Sequence, residues 1–293
     1  MRIEAGFELA YRCSTATPMV LALTPHPSRT ADLITDAKLN FRPHLTGRDC
    51  TDAYGNQCTR IVAPAGLTTI FSRFVINDSG KPDPIAPSAE QHEIDDIPDD
   101  VLMFLLGSRY CETDLLMDFA WKHFGAVPPG WARVQAVCDF VHHHITFDYQ
   151  AADPTRTAVG ALEDGIGVCR DFTHLAVALC RCLNIPARYC TGYLGDIGIP
   201  PMPYPIDFSA WFEVWLGARW YTFDARHHVP RIGRVLVSTG RDATDVALST
   251  SFGSAALVQF TVMTNEVVNE GRTQGALASL SEKRGGTPAH LRA

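Results

Sequence analysis

The chain has 293 residues, of which 46% are hydrophobic and 19% charged, and its formal net charge is -7. This composition is typical of a globular protein with room for two domains, and the acidic balance argues against nucleic acid or an anionic membrane surface as a general partner. No apolar run approaches the roughly 18 residues that a bilayer crossing needs, and the first residues alternate as a strand, so no secretory signal peptide is predicted. The nine cysteines are an odd number without a framework spacing, which favours a reducing compartment and predicts a cytoplasmic protein.

Four regions follow one another along the chain. Residues 1–76 alternate in polarity between turn residues, which predicts a small all-β domain. Residues 77–100 contain four prolines and eight acidic side chains, a composition typical of a linker. Residues 101–264 combine helical periodicity with later strands, and we predict that they form the core. Residues 265–293 are polar, glycine-rich and basic, which predicts a disordered tail.

A helix that begins at a cysteine is the central feature of the predicted core. Gly165 and Gly167 allow the backbone to turn sharply before Cys169, and apolar residues at helical spacing follow. A helix N-terminus carries unpaired N–H groups and a partial positive charge, which favour a thiolate over a thiol. The sequence therefore predicts a lowered pKa and a raised nucleophilicity for Cys169. The alternative is a buried cysteine with a structural role.

A predicted β-hairpin brings an acidic residue to the same region. If Gly217 and Ala218 form a two-residue turn, Trp211 lies opposite Asp224, and Ser209 is a diagonal neighbour of Asp224 on the same face. An aspartate at this point can orient a base that faces the cysteine. Nucleophile, base and orienter in this arrangement are the layout of covalent acyl transfer.

These residues carry a resemblance to a known family. The motifs are Gly-Val-Cys-Arg-Asp-Phe (167–172), Asn-Ile-Pro-Ala-Arg-Tyr (184–189) and Ala-Trp-Phe-Glu-Val (210–214), followed by Phe223 and Asp224. They resemble the bacterial transglutaminase-like superfamily, of the type described as cysteine proteases. The resemblance implies an α+β fold, in which a small all-β domain precedes a papain-like core with a cysteine-bearing helix packed on an antiparallel sheet. It also implies a Cys–His–Asp triad, with Cys169 as nucleophile and Asp224 as the orienter of the base.

The chain departs from the family at the base. Ser209 precedes Ala-Trp where the family has histidine, and a serine cannot act as a general base near neutral pH. His228 shares the parity of Asp224 and would face the site if the strand continues, whereas His227 would point the other way. Either activity is lost, or another group transfers the proton, or the helix terminus alone holds a Cys169 thiolate.

Other polar residues give weaker signals. Residues 142–144 are three histidines at the end of a predicted helix, where positive charge interacts favourably with the helix dipole. The arginines that follow the hairpin, among them Arg231 and Arg234, are candidates for the rim of the cleft, but we favour a solvated loop. The sequence has no two-pair zinc spacing, calcium loop or glycine-rich phosphate loop, so no metal and no cofactor is predicted.

Two functions from different classes remain open. The first is cysteine-dependent acyl transfer, or amide or peptide hydrolysis, on a protein or peptide substrate, in which Cys169 forms a thioester that water or an amine resolves. The Cys169 backbone N–H and the Tyr149 hydroxyl are candidate donors to the oxyanion. The second is a catalytically inactive core that serves as a protein- or peptide-binding module. Ser209 is the feature that favours this second function.

Overall fold

A computed structural model of the protein describes residues 1–202 and 206–267, and it has the α+β architecture that the sequence predicts. The helices in this part of the chain are too short or too polar to cross a bilayer. The helices are α1 (Asp99–Leu102), α2 (Thr113–Phe124), α3 (Trp131–His144), α4 (Ala158–Asp164) and α5 (Cys169–Cys182). The strands are β1 (Arg2–Cys13), β2 (Thr17–Leu21), β3 (Asn40–Arg42), β4 (Arg48–Thr51), β5 (Gln57–Ala63), β6 (Gly66–Asn77), β7 (Thr146–Phe147), β8 (Ile166–Gly167), β9 (Ala187–Tyr193), β10 (Phe208–Leu216), β11 (Arg219–Phe223), β12 (Val235–Gly240), β13 (Ser249–Ser251) and β14 (Ala255–Glu266).

Two four-stranded antiparallel sheets form the N-terminal part, in the orders β14-β1-β6-β3 and β13-β2-β5-β4. Alternating apolar residues such as Ile3 and Leu9 of β1, Leu21 of β2 and Ile70 of β6 meet in one core, where each is fully buried. Full burial of a side chain of this size contributes about 1.5–3 kcal/mol. The periodicity of residues 1–76 predicted β1, β2 and β6 of this core, whereas β5 and β14, which supply Ile61 and Val262, were not identified.

The last strands of the chain return to these N-terminal sheets. β14 pairs with β1 from Ile3↔Glu266 to Cys13↔Ala255, and β13 pairs with β2. Two expectations need correction: residues 249–264 complete the N-terminal sheets, and residues 265–266 belong to a paired strand. Sequence periodicity shows that a strand exists, but it does not show which edge the strand joins. The predicted disorder of residues 268–293 lies outside the described residues.

The proline-rich crossing, residues 77–100, contains no strand beyond the last residue of β6, and only the short 3-10 turn Ile94–Asp96 and the start of α1 are regular. Hydrogen bonds nevertheless fix this segment to the core. The Asp83 carboxylate accepts one from Nε of Arg234 at 2.9 Å, and the Ala89 carbonyl accepts one from the Trp131 N–H at 3.1 Å. The prolines and charges exclude regular structure, while these contacts fix the path of the crossing.

A third antiparallel sheet, β11-β10-β9-β12, supports the buried helix α5. Phe172, Leu175 and Leu179 of α5 pack in one cluster with Phe212 and Val214 of β10. Spacing of three and four residues puts the helical members on one face, and spacing of two does the same for the strand. The prediction of a cysteine-bearing helix on an antiparallel sheet is confirmed.

The β10–β11 hairpin has the predicted register. Leu216 pairs with Arg219 and Phe212 with Phe223, and the turn residues Gly217 and Ala218 have φ angles of 52° and 63°. Positive φ at both central positions is the requirement of the hairpin turn whose twist matches the flanking strands. The prediction of a two-residue turn at Gly217 and Ala218 is confirmed.

Candidate active site

Cys169 is the first residue of α5, where sequence analysis placed it. Gly165 ends α4 with a left-handed φ of 63°, and a Cβ at Gly167 would lie 2.5 Å from Oδ2 of Asp171. Glycine is therefore required at 165 for conformation and at 167 for the close approach of a side chain. The Asp171 carboxylate accepts a 2.8 Å hydrogen bond from the Val168 N–H, which fixes the helix start.

The surroundings of Cys169 overturn the expected lowering of its pKa. Burial raises the pKa of the Cys169 thiol, and the Arg226 guanidinium only partly opposes this effect. The negative charge of Asp207 raises it further, whereas a hydrogen bond from the Ala210 backbone N–H lowers it. The helix terminus is present, but loss of hydration outweighs it because Cys169 packs among Tyr189, Ala210 and other apolar neighbours.

Asp224 lies directly after β11 and holds an imidazole, but that imidazole belongs to His227. Nδ1 of His227 is 2.8 Å from Oδ2 of Asp224, and the His227 backbone N–H donates to Oδ1 at 2.9 Å. Nη2 of Arg234 donates to the same Oδ2 at 2.8 Å. Burial disfavours the charged carboxylate, but His227 and Arg234 together hold the pKa of Asp224 well below its usual range. An ionised carboxylate only accepts hydrogen bonds, so Nδ1 of His227 donates, and Nε2 is the acceptor whenever the ring is neutral.

The prediction that His228 faces the site is wrong. The strand ends at Phe223, and the backbone turns so that the His228 N–H donates to the Asp224 carbonyl at 2.8 Å. The alternation of side chains along a strand no longer applies after such a turn. His227, three residues after Asp224, therefore lies next to the Asp224 side chain. The His228 ring instead contacts Oδ1 of Asp139 at 2.6 Å and stacks on His142.

A cleft contains several polar side chains of this region, among them Arg226 and Asp207, whose charges act on the Cys169 thiol. Tyr149, Asp207, Ser209, Arg226 and His227 all line it. Ser209 is 5% exposed, and its hydroxyl oxygen has no hydrogen-bond partner among the described residues. Burial raises the pKa of Asp207 to about 6, and burial raises that of Tyr149 to about 12, so the Tyr149 hydroxyl stays a hydrogen-bond donor at neutral pH.

The arginines after the hairpin do not form a solvated loop. Arg231 is 3% exposed and Arg234 is 8% exposed. Arg234 bridges Asp83 of the proline-rich crossing to Asp224, and its guanidinium lies 4.9 Å from the centre of the Trp211 ring. Sequence analysis missed this bridge because its partners are about 140 residues apart in the chain.

Sequence analysis also missed His227, although the sequence contains a usable signal. Aspartate side chains commonly accept hydrogen bonds from backbone N–H groups two or three residues later, and thereby start turns. Asp224 begins such a turn, so Asp-Ala-Arg-His (224–227) could have been read as the end of the strand. That interpretation would have favoured His227 over His228.

Within residues 1–202 and 206–267, no group of three or more His, Cys, Asp or Glu side chains is arranged to hold a metal ion. The three histidines at the end of α3 bond to other groups instead. Nδ1 of His142 lies 3.1 Å from the Ala225 and Arg226 carbonyls, and Nδ1 of His143 lies 2.6 Å from the Asp139 carbonyl. His142 thus helps to hold the turn that carries Arg226 and His227.

Comparison with known proteins identifies a transglutaminase-like domain in this chain. The sequence profile of the Transglutaminase-like superfamily matches residues 123–225, which contain Cys169 and Asp224. A 94-residue stretch is 34% identical to the "Uncharacterized protein ML0607" of Mycobacterium leprae (strain TN). That match covers 31% of this chain and 33% of the relative, so the chain spans about a third of the relative's length.

One solved structure extends the likeness to most of the chain. The structure of "a Putative Cysteine Protease from Cytophaga hutchinsonii" is 28% identical, covers 90% of both chains and gives a TM-score of 0.77. The periplasmic domain of TgpA from Pseudomonas aeruginosa bound to ethylmercury is 14% identical over 74% of this chain and 92% of that one, with a TM-score of 0.36. Together with the profile match, the Cytophaga hutchinsonii structure shows that this chain carries a core of the transglutaminase-like superfamily.

Proposed function

We propose that the protein is a cysteine-dependent hydrolase or acyltransferase that acts on amide or peptide bonds of a protein or peptide substrate. The observation that carries this proposal is the bond between Asp224 and His227. His227 lines a cleft together with Tyr149 and Arg226, and both of these interact electrostatically with the Cys169 thiol. A carboxylate on Nδ1 fixes the ring orientation and leaves Nε2 to exchange a proton with the reacting groups. The resemblance to a structure described as a cysteine protease points to the same chemistry.

In the proposed reaction, His227 takes the proton of the Cys169 thiol, and the sulfur attacks the carbonyl carbon. The carbon–nitrogen bond breaks, the amine leaves with the proton from His227, and a thioester on Cys169 remains. Water or a second amine then attacks the thioester and gives its proton to His227, and the carbon–sulfur bond breaks to return the thiol. The Cys169 backbone N–H and the Tyr149 hydroxyl are the proposed donors to the oxyanion.

The experiment that tests the proposal traps the thioester. Wild-type protein is mixed with a p-nitrophenyl ester and, separately, a small amide, and the intact mass is measured after rapid acid quench. We expect an added acyl group on the peptide that contains Cys169, and its loss in Cys169→Ala. Cys50→Ala is the matched control, because Cys50 is a free, half-buried cysteine in β4 of the N-terminal sheets. Acylation that persists in Cys169→Ala, or that never forms, would refute the assignment.

A binding module is the second candidate, and two observations favour it. Ser209 stands where an imidazole is expected, and burial raises the pKa of Cys169 rather than lowering it. Under this alternative, wild type and Cys169→Ala bind an amide-containing peptide equally well, and neither releases product. Calorimetric titration combined with product analysis separates the two functions.

The cellular location remains a proposal as well. All nine cysteines are free, and we propose the reducing cytoplasm as the compartment. Determining by fractionation where the native protein accumulates tests this.

A further inference from the structure

We propose that Arg226 is a positioning residue whose guanidinium stabilises the Cys169 thiolate. This inference rests on the proposed role of Cys169 as the nucleophile. It concerns a different residue and a different step from proton transfer by His227. Two separate parts of the chain bring Arg226 next to Cys169.

The first part is the parallel ribbon of β7 and β8. Phe147 of β7 pairs with Gly167 of β8, two residues before Cys169. The Arg226 guanidinium lies 3.9 Å from the centre of the Phe147 ring, and Arg226 also forms a hydrogen bond with Tyr149. A cation over an aromatic face is attracted by the ring electrons, and the stacked guanidinium is thereby held in place. The ribbon therefore holds the positive charge alongside the entry to α5.

The second part is the β10–β11 hairpin. β11 ends at Phe223, and the turn that follows carries Arg226 into the cleft that Ser209 of β10 also lines. The Ala210 N–H donates a hydrogen bond to the Cys169 sulfur. His142 contacts the Arg226 carbonyl at 3.1 Å and holds the turn from the α3 side. The hairpin and the ribbon thus converge on Cys169 from different directions.

The charges that face Cys169 come from several elements. Arg226 is the positive one that most favours the thiolate, and Asp207 and Asp171 oppose it. Tyr149 and Tyr189 also lie near the sulfur and remain neutral phenols, because burial raises the pKa of each. Among the described residues, Arg226 has no carboxylate within 4.0 Å, so no close ion pair cancels its charge. Asp207 weakens the effect of Arg226 as it ionises.

The test is the pH profile of Cys169 alkylation by iodoacetamide, read by peptide mass spectrometry. The reagent is neutral, so the profile follows the thiolate fraction rather than attraction of the reagent. We expect Arg226→Gln to shift the profile to higher pH and to slow alkylation at pH 7.5 by about tenfold, which corresponds to one pKa unit. Arg226→Lys keeps the charge and should retain most of the rate. Asp207→Asn should shift the profile in the opposite direction.

Arg219→Gln is the matched control, because Arg219 is an exposed arginine on the same hairpin that stacks on Tyr221. A profile unchanged in Arg226→Gln, or shifted equally by Arg219→Gln, would overturn the inference. An equal loss in Arg226→Lys and Arg226→Gln would show a purely structural role and would also overturn it. Thermal unfolding of each variant identifies any that fail to fold. If an Arg226 variant fails, the inference is tested by the shift of the alkylation profile to lower pH that we expect in Asp207→Asn. Thioester formation is measured separately, so a reactive but non-catalytic Cys169 refutes the proposed function and leaves this inference standing.

Discussion

His227 and the carboxylate of Asp224 are joined by two hydrogen bonds, one from the His227 backbone N–H at 2.9 Å and one from Nδ1 of its ring at 2.8 Å. The pair spans only three residues, and the turn after β11 creates it. Arg234 reaches the same carboxylate and ties it to Asp83 of the proline-rich crossing. One carboxylate therefore orients the candidate base and holds distant segments of the chain together.

Replacing the two neighbouring histidines should have unequal effects. We expect His227→Ala to reduce the rate of thioester formation by about 100- to 10,000-fold, because general acid–base assistance is worth that much. His228→Ala should change the rate little, since that ring bonds to Asp139 instead. Single-turnover kinetics with a p-nitrophenyl ester measure both. Equal losses in the two variants would contradict the assignment of His227.

The missing family histidine offers a rescue experiment. In His227→Ala, the Asp224 carboxylate loses its imidazole, and Ser209 lies on the face of the hairpin that Asp224 adjoins. We expect the double variant Ser209→His/His227→Ala to form the thioester at least tenfold faster than His227→Ala, because the Asp224 carboxylate again orients an imidazole. Ser209→Ala/His227→Ala is the control and should recover nothing. A double variant that folds but stays as slow as this control would show that position 209 does not reach Cys169.

The ion pair between Asp224 and Arg234 should matter for stability. Each residue is 8% exposed. Removal of the Asp224 carboxylate leaves Arg234 with Asp83 as its remaining partner and takes the acceptor from His227. We expect Asp224→Ala to lower the free energy of unfolding by about 3–5 kcal/mol. Arg73→Ala breaks the exposed pair with Glu4 and should cost about 0–1 kcal/mol. Urea denaturation compares the two, and similar losses would be inconsistent with a buried pair at Asp224.

Acid should destabilise the wild type more steeply than Asp224→Asn. His227 and Arg234 lower the pKa of Asp224 in the folded state, while the unfolded value is about 4. The stabilisation is therefore complete above about pH 4 and is lost as the pH falls towards the folded pKa. Between pH 4 and pH 3 this one group should contribute a slope of about 1 kcal/mol per pH unit. Urea midpoints across this range test it, and parallel slopes in the two proteins would contradict it.

Asn56 should couple the N-terminal sheets to the core. Its fully buried side chain donates to the Thr239 carbonyl and accepts from the Thr239 N–H, both at 2.8 Å. Asn56→Ala leaves both backbone groups without these partners, and we expect a loss of about 1–3 kcal/mol for each group. Asn40→Ala, which removes only an exposed contact with Lys38, should cost little. Urea denaturation of the two variants measures the difference, and equal midpoints would exclude this coupling role.

The sequence by itself determined the elements whose causes are local. The β10–β11 register follows from a two-residue turn, and the start of α5 follows from a glycine-flanked cysteine before an apolar helix. The residues that determine each feature lie within about one helical turn or one hairpin of each other. Hydrophobic periodicity and turn-residue preferences were therefore sufficient to predict both features.

Only the tertiary structure decided the electrostatics of the site and the edges of the sheets. The charges of Asp207 and Arg226 act on Cys169, Asp83 forms an ion pair with Arg234, and β14 pairs with β1. In each case the partners are far apart in the sequence, so the local periodicity of the sequence does not predict the contact. The pKa of Cys169 rises because packing removes water from the sulfur, and the number of neighbours that do so is unknown until the chain has folded. The choice of His227 over His228 had a partly local cause, because the turn at Asp224 ended the strand and cancelled the parity on which the prediction depended. The long-range part is His142 of α3, which holds that turn through the Ala225 and Arg226 carbonyls.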